Sequence, residues 1–220
     1  MPYSMVRVRR SGAVWRLAGG LIIVMGCAAG EAPTPASPPA AGPAIGPSEV
    51  TGAPDSVAGT TVEGAYRYKF RMIDPPSDRF NFRDRVFDFY FRPAPDALHF
   101  QIENRQGFPI TIEWDRCQFY DFSGGYQPAI HDGITWENRF RTPAPTTIQG
   151  GQRYSDYVFP LDLMLDPGGT GGQLHKPLIP QDSSAPHYID RPYGVDLVFR
   201  FDDKLNTYSF RFKLVSVLPN

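Results

Sequence analysis

The sequence predicts an all-β protein, an immunoglobulin-like antiparallel β-sandwich of about eight strands, and three observations predict it. Apolar and polar residues alternate at period two through most of the chain after residue 60. Gly, Pro, Asn and Asp recur between the alternating runs at short intervals. No stretch of useful length carries apolar residues at helical spacing. Alternation is shared by two packed sheets and by one closed sheet, so a closed β-barrel stands as the alternative architecture.

The first run is Tyr66-Arg67-Tyr68-Lys69-Phe70-Arg71-Met72, with aromatics and a methionine on one face and three cations on the other. That is the pattern of a half-buried strand. Residues 98–104 and 110–115 repeat it, and Arg105-Gln106-Gly107-Phe108-Pro109 between them suits a hairpin. Trp114 falls on the apolar face of its run and is expected in the core. Further strands are expected at residues 86–91, 117–122, 129–132 and 154–159. Near the C-terminus, residues 195–201 and 208–214 flank Asp202-Asp203-Lys204-Leu205-Asn206, which reads as a second hairpin. Arg67, Lys69, Arg71, His99, Glu103, Arg211 and Lys213 occupy the outward faces, where lipid would penalise them, so these strands do not read as a transmembrane barrel.

Composition divides the chain into three parts: residues 1–26, 27–59 and 60–220. Residues 1–26 hold Arg7, Arg9, Arg10 and Arg16, no acidic residue, and an apolar run over 17–26. A membrane-spanning helix needs about 20 apolar residues, so this shorter run reads as a removable export signal. It ends Val24-Met25-Gly26-Cys27, which resembles the bacterial lipobox. The resemblance implies cleavage before Cys27 and acylation of its thiol, with the chain held at a membrane by covalent lipid. A conventional signal cleaved near Ala28 or Ala29 is the alternative.

Residues 28–59 contain seven prolines, only Glu31, Glu49 and Asp55 as charges, and no aromatic residue. Such a segment buries too little apolar surface to offset its ordering entropy and is expected to act as a disordered tether. Drawn out at about 3.1 Å per residue, it reaches roughly 100 Å. Loss of residues 1–26 removes four cations from the 22 Lys+Arg while all 23 Asp+Glu remain, so the charge becomes 18 − 23 = −5. A mildly acidic exported domain disfavours nucleic-acid binding.

Within residues 100–161, the spaced residues Asn104, Trp114-Asp115, Cys117, Ile130-His131-Asp132-Gly133 and Gln149-Gly150-Gly151 resemble a group of small, largely uncharacterised bacterial lipoproteins. The resemblance implies a sandwich in which Asn104 ends a strand, Trp114-Asp115 sits in the next, and Ile130-His131 begins another after a turn at Ser123-Gly124-Gly125. The Gln149-Gly150-Gly151 segment departs from the proline-containing turn usual there. The resemblance implies a fold and a location without an activity.

No catalytic set is expected. There is no G-x-S-x-G, C-x-x-C, H-E-x-x-H or calcium-loop pattern. His131-Asp132 has the residue types of an acid/base or metal pair, but its turn-rich setting favours a hydrogen-bonded turn. Residues 166–194 form a long irregular segment whose glycines lack the strand-to-helix setting of a phosphate loop. Its His175, His187, Asp182 and Asp190 are candidate metal ligands, and Trp136, His175 and His187 are candidates for an interaction surface. Cys117 is left without a disulfide partner if Cys27 is acylated, and its aromatic surroundings predict a buried, inert thiol.

These readings converge on a non-catalytic, membrane-anchored envelope lipoprotein serving as an interaction or structural module. No cofactor beyond the lipid on Cys27 is expected. The partner would be another envelope protein or a cell-wall component, and Ala28 after the lipobox favours the outer over the inner membrane. The alternatives are a carbohydrate- or metal-binding lipoprotein using the 166–194 loop and exposed aromatics, and an envelope hydrolase.

Overall fold

The structure is a computed structural model that describes residues 60–63, 66–168 and 172–220. The expected signal, Cys27 and the tether lie outside the described residues. In chain order the strands are β1 (Thr60–Glu63), β2 (Tyr66–Asp74), β3 (Pro76–Ser77), β4 (Asn81–Arg83), β5 (Phe87–Pro93), β6 (Leu98–Asn104) and β7 (Ile110–Ile112). There follow β8 (Gln118–Tyr120), β9 (Tyr126–His131), β10 (Thr146–Ile148), β11 (Arg153–Pro160), β12 (Met164–Leu165), β13 (Leu174–His175), β14 (Pro192–Phe201) and β15 (Lys204–Pro219). Among the described residues, helical structure is confined to four short 3-10 turns.

Every strand pairing is antiparallel, and the strands build two layers. One runs β1-β2-β15-β14, with β14 pairing β7 near its C-terminal end and β8 near its N-terminal end. The other runs β4-β5-β6-β11. Strand β9 belongs to both: residues 126–128 pair with β8, and residues 129–131 pair with β11. The change falls at Pro128, which has no N–H to give a ladder, and the alternation breaks there, with Ala129 and Ile130 both buried. The hydrogen-bonded path ends at β1 and β4, so the sheet does not close into a barrel.

The two layers meet through aromatic rings, as the period-two patterns require. Phe87, Phe89 and Phe91 of β5 are fully buried. Their ring centroids lie 4.4 Å from Phe199 and 4.8 and 4.5 Å from Phe210, respectively. Tilted pairs at such distances contribute about 0.5–1.5 kcal/mol each beyond burial. The expected C-terminal hairpin forms, with Phe201 opposite Lys204. Asp202 and Asp203 have φ of 50° and 54°, the left-handed pair a two-residue hairpin turn demands. Gly194 of β14 lets the β15 backbone approach: a Cβ there would sit 1.9 Å from the Phe210 carbonyl oxygen.

Several sequence expectations are corrected. Residues 105–109 do not close a hairpin: β6 pairs with β5 and β11, whereas β7 pairs with β10 and β14, so the link crosses from one layer to the other. The buried Asn104 side chain holds that crossing. Its Nδ2 donates to the carbonyls of Phe108 (2.8 Å) and Ile148 (3.0 Å), and its Oδ1 accepts from Gln106 N (2.9 Å). Trp114-Asp115 lies in a 3-10 turn, because the strand stops at Ile112. Ile130-His131 closes β9, and Gly133 turns the chain with φ 83°. The 166–194 segment is not an open loop throughout: Leu178, Ile179 and Ala185 are buried, and Leu178 N and Ile179 N donate to Asp96 O and Pro95 O.

Candidate functional site

Two groupings on the β9 and β11 side of the sandwich take in His131-Asp132, Trp114 and Trp136 from the residues singled out in the sequence. The first is a polar cluster around Asp156. In β11, Asp156 stands opposite Phe100 of β6, in phase with Tyr154 and Val158, so the pleat turns it inward. Its side chain is 2% exposed. Three donors satisfy it: Oδ1 accepts from Asp132 N (3.1 Å) and Tyr157 N (2.7 Å), and Oδ2 accepts from the Tyr154 hydroxyl. Burial, then the Asp156 charge, pushes the Tyr154 hydroxyl well above the ordinary phenol range.

His131 completes this cluster. Its Nδ1 lies 3.5 Å from Asp156 Oδ2 without hydrogen-bond alignment, and among the described residues neither buried ring nitrogen has a hydrogen-bond partner. Its ring stacks on Trp114, whose Nε1 donates to Thr146 Oγ1 at 2.9 Å. Around it, the Tyr157 hydroxyl shares its one proton between two acceptors in reach, Asp132 Oδ1 (3.1 Å) and Gln173 Oε1, and Gln173 Nε2 donates to the carbonyls of His131 (2.8 Å) and Ile134 (3.0 Å). Burial, then Asp132, pushes the Tyr157 hydroxyl up to about 12. An imidazole beside a carboxylate has the parts of an acid/base pair. Here the carboxylate is occupied by backbone and phenol donors and the imidazole faces an indole, so the arrangement clasps the 131–135 turn to β11.

The second grouping is at the surface. Trp136 opens a 3-10 turn and lays its half-buried ring over the small apolar cluster of Ile130, Phe159 and Met164. The Arg139 guanidinium carbon stands 3.4 Å above the Trp136 ring and 4.4 Å from the Phe140 ring centre, and Arg139 Nη1 also donates to the Trp136 carbonyl. Phe140 is 77% exposed. A cation held over an indole is stabilised by about 0.5–1 kcal/mol at an exposed site.

The four candidate metal ligands have separate local roles. His175 stacks on Phe159 with centroids 4.0 Å apart, and its Nδ1 bonds the Lys176 carbonyl at 2.9 Å. His187 lies exposed in the 185–188 turn. Asp182 accepts from Ser184 N (2.8 Å) and Oγ (2.5 Å), and Asp190 pairs with Lys213 at 2.6 Å. Among the described residues, no group of three His, Cys, Asp or Glu is placed to hold a metal ion. Of the surface candidates, Trp136 joins the aromatic–cation stack, while His175 and His187 stand apart from it.

Sequence reasoning missed Asp156, although its signal is plain: it is an acid in phase with the buried residues of its strand. Arg139 and Phe140 lie in a loop without periodicity, and nothing in spacing marks them. Comparison of the chain with family models, with curated proteins and with solved structures finds no match.

Proposed function

We propose that this chain is a membrane-anchored envelope lipoprotein whose β-sandwich is a non-catalytic interaction module, presenting the Trp136–Arg139–Phe140 stack to an envelope partner. The observation that carries the reading is Phe140: a large apolar ring, 77% exposed, beside an arginine already fixed over an indole. Aromatic residues and arginine dominate binding hot spots, and a pre-set side chain loses less entropy on binding. The lipobox-like Val24-Met25-Gly26-Cys27 and the resemblance over residues 100–161 support the anchor and the envelope setting.

The test is a photo-crosslinking residue at position 140 in intact envelopes, with position 205, an exposed leucine near the start of β15, as the reference. A discrete adduct from position 140 that Arg139→Ala abolishes supports the module. Equal adducts from both positions, or none from position 140, overturn it. Intact mass of the purified chain tests the anchor separately, since acylated Cys27 must be its first residue.

One row favours carbohydrate binding as a second reading. Asn81, Tyr90, Gln101 and Ser155 stand opposite one another across β4, β5, β6 and β11. The Tyr90 ring is 53% exposed, between amides suited to sugar hydroxyls. A melting temperature that rises with added glycan, and does so no longer in Tyr90→Ala, would support it; no rise for cell-wall glycan fragments would remove it.

A further inference from the structure

Arg67, Lys69 and Arg71 take alternate positions of β2 and are all exposed, on the side opposite the buried Tyr68, Phe70 and Met72. Residues two apart on a strand are separated by about 6.6 Å, so the three charges form a column roughly 13 Å long. On the neighbouring strand β15, Lys213 stands opposite Arg71, Ser216 opposite Lys69, and Leu218 opposite Arg67. Lys213 is neutralised by Asp190 at 2.6 Å, and Arg211 further along β15 by Asp196 at 2.7 Å. Among the described residues, Arg67, Lys69 and Arg71 form no ion pair. Three like charges on one face without an ion pair repel, and an anionic surface relieves that repulsion.

Two further observations choose among anionic surfaces. Leu218, 57% exposed, places an apolar side chain beside the column, the mixture of cation and apolar group that suits a lipid headgroup boundary. The column also lies on the strand next to β1, with Thr60 opposite Lys69 and Val62 opposite Arg67. Strand β1 follows directly on residues 27–59, so a chain held by Cys27 would bring β2 near the bilayer at high effective concentration.

We infer that the outward column Arg67–Lys69–Arg71 binds the anionic headgroups of the phospholipid bilayer that holds the chain, docking the β1–β2 side of the sandwich on the membrane. The inference rests on the anchored reading proposed above.

The experiment measures acetylation rates of individual lysines, by mass spectrometry, in the full acylated chain reconstituted into vesicles of phosphatidylcholine alone or with about a third phosphatidylglycerol. Lys204, the exposed first residue of β15, is the internal reference. Lys69 should react at least about five-fold more slowly on the anionic vesicles, high salt should restore its rate, and Lys204 should be unaffected. The variant Arg67→Gln/Arg71→Gln keeps the reporter and should lose its protection. Equal Lys69 rates on both vesicles, or equal slowing of Lys69 and Lys204, would overturn the inference. If the mass of the same sample shows Cys27 unmodified, the anchored reading fails by itself; the free chain mixed with the two vesicle types still reads out the column.

Discussion

The imidazole of His131 lies nearly parallel to the indole of Trp114, with ring centroids 4.0 Å apart and planes 12° from each other. The contact joins the end of β9 to the 3-10 turn after β7, and among the described residues neither His131 nitrogen finds a hydrogen-bond partner. Its shape, not its hydrogen bonding, is what the site uses. His131→Phe is therefore expected to leave stability unchanged or raise it by about 1 kcal/mol, since it removes buried unpaired nitrogens. His131→Ala should lower stability by about 2–4 kcal/mol through the cavity beside Trp114. Urea midpoints of the two variants check this, and equal damage from both would show that the imidazole nitrogens, through Asp156, hold the site.

Tyr193, fully buried, and Tyr208, half-buried, should respond oppositely to loss of the hydroxyl. Tyr193 is fully buried among Phe119, Phe122 and Phe212, and among the described residues its hydroxyl has no hydrogen-bond partner. Tyr208 donates to Asp84 Oδ2 at 2.8 Å, and Asp84 Oδ1 caps the start of β5 by accepting from Val86 N and Phe87 N. Burial raises the pKa of both phenols, so both remain neutral. Tyr193→Phe should be neutral or stabilising by up to about 1–2 kcal/mol, and Tyr208→Phe should destabilise by about 1–2 kcal/mol. Thermal melts of the pair provide the comparison, and the same sign for both would refute it.

The layers of the fold were legible because each strand needed only its own alternation: Tyr66 to Met72 and Tyr208 to Leu214 announce their buried faces without reference to any other segment. Pairing was not legible where it depends on a distant partner. The chain between Asn104 and Ile110 has the composition of a hairpin, and it crosses between layers because the Asn104 amide bonds Ile148, 44 residues away. The candidate site divides in the same manner. Trp136 could be singled out as an aromatic in a polar stretch, but the cation that fixes it, Arg139, is specified by the path of a non-repetitive loop. His175, a reasonable ligand by type, is committed to stacking on Phe159, a contact made when the β12–β13 hairpin folds over β11.

Cys117 should be chemically silent in the folded chain. It is buried beneath β14, its Sγ donates to Glu113 O (3.4 Å) and accepts from Val198 N (3.3 Å), and burial pushes the thiol up to about 12. The nearby Asp115, Asp196 and Glu113 charges act in the same direction. Since the thiolate is the reacting species, a disulfide reagent at pH 8 should modify Cys117 at least about a hundred-fold more slowly in the native chain than in urea. The measurement is best made on Cys27→Ser, which leaves one thiol to follow. Prompt native labelling would mean that the β7–β14 region opens readily.

Acid should weaken the fold through carboxylates fixed in turns. Burial would raise Asp121, but the Ser123 hydroxyl, the Gln127 amide and the Gly125 and Ser123 N–H groups outweigh it and hold the carboxyl below the usual range. Burial of Asp96 is likewise outweighed, by His99 at 2.9 Å and by backbone donors. A carboxyl with its folded pKa depressed stabilises the native state above its unfolded value of about 3.9, and that contribution disappears as pH falls through the folded value. Stability should therefore be level in this respect from neutral pH to about 5 and decline below about 4. Asp96→Asn/Asp121→Asn removes both titrations while keeping an acceptor at each turn, so its urea midpoint should fall less between pH 7 and pH 3 than the parent's. An equal fall in the two proteins would assign the acid sensitivity to groups other than Asp96 and Asp121.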